Sequence, residues 1–205
     1  MQEPENTPAP ENVTAFEKYA EVYAQNSDLV GWVSISGTRI DYPIMQTKDN
    51  PNFYLKHAFD KSYSSYGVPY LQGNCDIRHF RQSGIVWPPH EQRQYCSPIC
   101  ASTRANDFIG RHKTICFDTL DHFGEYEVIA AFKTVAYSGR GSSITTLSRL
   151  KTPRLLRRIL QSARRLALYD TGVTAEYGDK LLTLSTCEYS RTNGRLVVVA
   201  KLINE

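Results

Sequence analysis

Apolar positions recur at two different periods along this chain, and the change of period falls near residue 26. From Thr14 onward, Phe16, Tyr19, Ala20 and Tyr23 stand three or four residues apart, the spacing of one helix face. Thr14 is a natural N-cap, and Glu17 three residues later completes a capping box, so a short helix is expected there. After Asn26 the pattern turns to short runs rich in β-branched and aromatic residues. These are VGWVSI (30–35), RIDYPIM (39–45), VPYLQ (68–72), KTICFDTL (113–120), YEVIAAFKTVAY (126–137), VTAEY (173–177), KLLTLST (180–186) and RLVVVAKLI (195–203). Turn formers separate them, among them Ser36-Gly37, Asp49-Asn50, Gly178-Asp179 and Asn193-Gly194. Eight short strands with regular turn signals predict a closed β-barrel with added helices.

A second helix is predicted from Thr152 to Leu168, before the last two strands. Leu155, Leu156, Ile159, Leu160, Ala163 and Leu166 fall on helical spacing, and Arg154, Arg157, Arg158, Arg164 and Arg165 occupy the other faces. Such an arginine run reads first as the solvated side of a surface helix, and binding to phosphates is the minor alternative. At 205 residues with a formal charge of +3, the chain fits one domain and carries too little positive charge to imply a nucleic-acid partner. No stretch approaches the roughly 20 apolar residues of a membrane span. Residues 1–13, MQEPENTPAPENV, are rich in Pro, Glu and Asn and read as a flexible linker from which an anchor is absent; residues 14–205 read as the folded domain.

Five cysteines, Cys75, Cys96, Cys100, Cys116 and Cys187, form an odd set without regular spacing, which suits a working thiol better than a disulfide framework. Cys96 and Cys100 with His90 are too few for a metal site. Cys187 differs from the others in its setting. It ends the strand-like run LLTLSTC, a polar loop follows, and Arg195 opens the next apolar strand. A thiol at a strand end is fixed in space and open to substrate. A guanidinium one hairpin away can bind the oxyanion formed when that thiol attacks a carbonyl.

TLSTC followed by an arginine eight residues later resembles the signature of the sortases, and its wording is similar to class B. The likeness extends to NSDLVGWVSISGTRIDYPIMQTKDNPNFYLKHAF (26–59), including a DN-x-x-YL-like pattern with one extra residue at Asp49, Asn50, Tyr54 and Leu55. RHKTICFDTL, GEYEVIAAFKTVAYS and ALYDTGVTAEYGDKLLTLSTC also fit, so about three quarters of the chain is covered. The resemblance implies an eight-stranded sortase-type barrel at the extracellular face of a Gram-positive membrane, reached only through an N-terminal anchor. It implies an enzyme that cuts a sorting signal after threonine, holds the surface protein as a thioester on Cys187, and transfers it to an amine of a peptidoglycan precursor or pilin. Arg195 would be the oxyanion partner and a histidine the general acid, with no metal or organic cofactor needed. Ser185, Thr186, Asn50, Tyr54 and Leu55 would line the peptide site, framed by Tyr177 and Glu188.

Two stretches, 79–106 and 142–165, depart from the family pattern. The family histidine follows a glycine in a motif of the type YGHHM, whereas this chain reads RHFRQSGIVWPPHEQRQYCSPIC there, without strand alternation and with Pro88-Pro89 where a barrel strand should end. His90 is the nearest imidazole to the expected position. Back-translating from His79 and reading one nucleotide later permits TSDNLVLYGHHMNSG, given free choice of degenerate codons. The remaining frame after Gly141 permits YYHFVEAEDAAAF from SITTLSRLKTPRLLR. Both strings resemble class B sequence, so the two stretches are expected to be frame-shifted translations. The alternative function is then a sortase-fold protein that binds peptide with impaired turnover.

Overall fold

The computed structural model describes residues 13–77, 82–88, 112–135, 153–168 and 170–205. Eight strands, β1 (Leu29–Ser34), β2 (Asp41–Met45), β3 (Tyr70–Leu71), β4 (Gln82–Trp87), β5 (Thr114–Thr119), β6 (Glu125–Val135), β7 (Leu181–Cys187) and β8 (Gly194–Asn204), close into a barrel. Their order around it is β1-β2-β3-β4-β7-β8-β6-β5. The β2–β3 and β4–β7 pairings are parallel and the others antiparallel. Closure leaves every strand paired on both sides, which removes the exposed edges of an open sheet.

Period-2 burial divides the barrel wall into two faces. Ile85, Trp87, Leu182, Leu184, Leu196 and Val198 fill the interior, together with Val33 and Ile44. The alternate positions Leu181, Val197 and Val199 point outward and pack with Ile129 and Phe132 under helix α2 (Pro153–Leu166), which contributes Leu156 and Ala163. A third cluster, Tyr19, Leu29, Met45, Tyr54 and Tyr70, covers the wall near helix α1 (Ala15–Gln25).

Both halves of the α1 capping box form. The Thr14 amide donates to Glu17 Oε2 at 2.8 Å and the Glu17 amide to Thr14 Oγ1 at 3.3 Å. The helix is fastened to the barrel by Tyr19, whose ring stacks on Trp32 at 5.5 Å and whose hydroxyl donates to buried Asp118 at 2.6 Å. Burial, with the Asp118 charge added, pushes the Tyr19 phenol far up, so it stays a neutral donor. Lys18 Nζ completes the contact at 2.9 Å from the same carboxylate.

Two sequence expectations change. VTAEY (173–177) forms no strand; its alternation arises because Val173 and Ala175 lie along the cluster under α2. The eighth strand is instead QSGIVW (82–87), inside a stretch where no strand was expected. It alternates after all, with Ser83, Ile85 and Trp87 buried inward, but a serine and a glycine at its start hide the pattern. Likewise Pro153–Leu166, most of it inside the other departing stretch, forms the amphipathic helix read from its apolar spacing. Pro88 apart, the rest of both stretches lies outside the described residues. No helix among the described residues is long and apolar enough to cross a membrane.

Candidate active site

Strands β7 and β8 form a hairpin, and their register sets the chemistry. Leu184 pairs with Val198, Thr186 with Leu196, and Cys187 with Arg195. Directly opposed residues share a face, their Cα atoms roughly 4.5–5.5 Å apart. Because Leu182, Leu184 and Leu196 point inward, Cys187 and Arg195 both point outward. Both are half-buried, and Arg195 Nη1 donates to the Gly194 carbonyl at 2.9 Å. The turn between them is tight. The Glu188 amide donates to Gly194 O at 3.0 Å, the Gly194 amide to Arg191 O at 3.0 Å, and Asn193 sits at φ 56°. A Cβ on Gly194 would come within 2.2 Å of the Glu188 carbonyl, so only glycine closes this turn.

Ser185 shares the outward face two residues before Cys187, level with Val86 of β4. Val86 and Leu55 pack on the cluster that contains Tyr70, and the Tyr70 hydroxyl donates to Asn52 Oδ1 at 3.3 Å. Burial pushes the Tyr70 phenol up; the Cys187 thiol adds to the rise and the Arg195 guanidinium opposes it, which places the phenol within electrostatic reach of both. The outward wall beside the thiol thus comprises Ser185, Val86 and Tyr70, flanked by the 50–55 loop. Asn50 is exposed on that loop, its carbonyl accepting from the Phe53 amide at 2.9 Å.

Other expected lining residues lie elsewhere. Thr186 points into the barrel, 2% exposed, and its hydroxyl has no hydrogen-bond partner among the described residues. Tyr54 is buried, its hydroxyl accepting from Asn26 at 2.8 Å and donating to Asp28 at 2.8 Å, so it supports the loop from beneath. Tyr177 precedes β7 at the end remote from Cys187, and a seven-residue strand spans roughly 20 Å. It lines a cleft with Leu156, Arg157 and Arg164 of α2 instead. Glu188 is held at the barrel mouth by Lys133 Nζ at 2.9 Å and by Ser190. Burial pushes its carboxyl up, but the bonds from Ser190 and Lys133 outweigh this and hold it below the usual carboxylate range. His90 lies outside the described residues.

The sequence reading missed Tyr70 and Lys133. Tyr70 was detectable by parity, since it alternates with buried Leu71 and must face the other way. Lys133 stood out as the single charge in VIAAFKTVAY, although its partner is 55 residues away and not inferable from spacing.

No family model matches the chain. It is similar to Sortase B of Staphylococcus aureus, 29% identical over 182 residues that cover 87% of this chain and 71% of that protein. Sortase B of Listeria monocytogenes is 26% identical over 185 residues, 88% of this chain and 72% of that one. Among solved structures, a Staphylococcus aureus sortase B–substrate complex superposes with a TM-score of 0.80 at 24% identity, over 95% of this chain and 88% of the other, a likeness of fold.

Proposed function

We propose that the chain, as a class B sortase, cleaves a C-terminal sorting signal after threonine and joins the surface protein to a cell-wall amine. The pairing of Cys187 with Arg195 on one outward face carries this reading. The Cys187 thiolate attacks the scissile carbonyl, and the oxyanion that forms meets the Arg195 guanidinium. Collapse of that intermediate expels the amine of the downstream peptide, which takes a proton from a general acid, and leaves the thioester. The acceptor amine then attacks the thioester, loses its proton, and releases Cys187. Ser185, Leu55 and Asn50, with Tyr70, form the wall against which the extended signal lies. The acceptor is an amine of a peptidoglycan precursor or pilin, and the place of work is the extracellular face of a Gram-positive membrane. His90 serves as the acid in this reading.

A specific observation favours the second reading, binding with impaired turnover. β4 runs parallel to β7 and their last pair is Trp87 with Thr186, so position 88 follows that pair on one side as Cys187 does on the other, and it holds a proline. A pyrrolidine ring has no proton to give. In the alternative frame TSDNLVLYGHHMNSG, counted from codon 79, position 88 is the first histidine. The same frame puts leucine at 83, where Ser83 is buried in the barrel with a hydroxyl lacking any hydrogen-bond partner among the described residues. Cleavage of a sorting-signal peptide, followed by chromatography and intact mass, separates the readings. Cleavage abolished by His90→Ala supports the active enzyme, whereas saturable binding without cleavage supports the impaired one.

A further inference from the structure

A single ion pair at the barrel mouth lies behind the Cys187–Arg195 pair. Lys133 on β6 is level with Leu196 on β8, and its neighbour Thr134 is level with Arg195. Arg195 is in turn level with Cys187 on β7, so β8 runs between β6 and β7 at this height. Ala131, two residues before Lys133, points into the barrel, as does Thr186, two residues before Glu188. The bridge between Lys133 Nζ and Glu188 Oε1, 2.9 Å, therefore spans β8 on its inner side, with Arg195 directed to the outer side. Glu188 Oε2 accepts from the Ser190 amide at 3.1 Å and from the Ser190 hydroxyl. One carboxylate thus ties the start of the Glu188–Gly194 turn to β6 and braces the turn internally.

We propose that Lys133 is a positioning residue that, through Glu188, holds the turn joining Cys187 to Arg195 and so tightens the placement of the two side chains. Cys187 is the last residue of β7 and Arg195 the second of β8, so the Glu188–Gly194 segment joins them directly. Glu188 is also held by its amide to Gly194 O and by Ser190, but both bonds lie within the turn and move with it. Lys133 is the anchor outside. Its side chain is half-exposed while that of Glu188 is 10% exposed, so the carboxylate left alone would be a desolvated, unpaired charge. The turn would open to hydrate it, carrying Arg195 away from the thiol. This role rests on the reading of Cys187 and Arg195 as a working pair.

The test uses thiol chemistry rather than turnover, so its outcome is independent of whether the chain cleaves peptide. Alkylation by iodoacetamide is followed at Cys187 by peptide mapping, with exposed Cys116 in the same chain as the reference. A cation held beside a thiol favours the reactive thiolate, so Lys133→Met lowers the Cys187 to Cys116 rate ratio by about threefold or more, matching the weaker couplings between contacting residues. Lys133→Arg, which keeps the cation, restores the ratio, as does the charge-reversed pair Lys133→Glu with Glu188→Lys. A lower melting temperature with an unchanged ratio overturns the proposal, as does failure of both rescues. If Lys133→Met does not fold, Lys133→Gln, which keeps most of the stem, carries the same comparison.

Discussion

Pro88 and Cys187 each stand one residue beyond the Trp87–Thr186 pair, the last of the parallel β4–β7 ladder. The proposed nucleophile thus has at the end of the adjoining strand, where a proton donor would serve the departing amine, a proline packed close to Gly67, whose added Cβ would lie 2.8 Å from the Pro88 ring. Amide cleavage is the step that suffers, because an amine is a poor leaving group without an acid. Pro88→His should raise the rate of sorting-signal cleavage by about 10²–10⁴-fold, the usual worth of a placed general acid. Peptide cleavage measured by chromatography checks this, and a Pro88→His chain no faster than its parent would remove position 88 from the mechanism.

Ser83 gives a stability counterpart to the same idea. Its buried hydroxyl lacks a partner among the described residues and faces a barrel interior of Ile85, Trp87, Leu182 and Leu184. Ser83→Leu removes that desolvated group and adds apolar burial, which together should stabilise the fold by about 1–3 kcal/mol. Chemical denaturation reads the change. A loss of stability would mean that the interior has no room for the larger side chain and that serine belongs there.

Arg195 is expected to act on the oxyanion rather than on peptide affinity. Arg195→Ala should reduce acylation of Cys187 by about 10²–10³-fold, the cost of one oxyanion donor, with little effect on peptide binding by calorimetry. Lysine, a point charge on a flexible stem, should restore only part of the rate. Equal losses in binding and acylation would assign Arg195 to substrate positioning.

The Lys133–Glu188 bridge carries a pH dependence whose sign follows from the carboxylate. Its carboxyl is held low in the folded state, so the bridge contributes stability above the unfolded carboxylate range and loses it as pH falls through the folded value. Thermal melts of the parent and Glu188→Gln should therefore differ most near neutral pH and converge below about pH 4. Curves that stay parallel across that range would show that ionisation of Glu188 contributes nothing.

Much of this was legible in the chain, for physical reasons that differ by element. β7 and β8 were read within a residue of their ends because continuous apolar runs bounded by Asn193-Gly194 leave one register. The cap of α1 was legible because Thr14 and Glu17 satisfy each other locally. β4 was not, since Ser83 and Gly84 mask its alternation and its partner lies about 100 residues away, across a parallel pairing that spacing does not reveal. At the candidate site, Cys187 and Arg195 were singled out from sequence and the structure pairs them, but the inward turn of Thr186 follows from the parity of β7, fixed only once Leu182 and Leu184 are known to fill the barrel. Tyr177 was misplaced because nearness in sequence to the nucleophile strand does not say which end of the strand a residue joins.

The most direct test of the account asks whether Cys187 accepts an acyl group when the leaving group needs no acid. A peptide thioester ending in threonine meets that condition, since a thiolate departs unaided, and acyl transfer then depends on the nucleophile and Arg195 alone. Intact mass and peptide mapping should show one acyl group on Cys187, absent from Cys187→Ala and slowed in Arg195→Ala. No acylation of Cys187 above that of Cys116, or an adduct that persists in Cys187→Ala, would contradict the assignment.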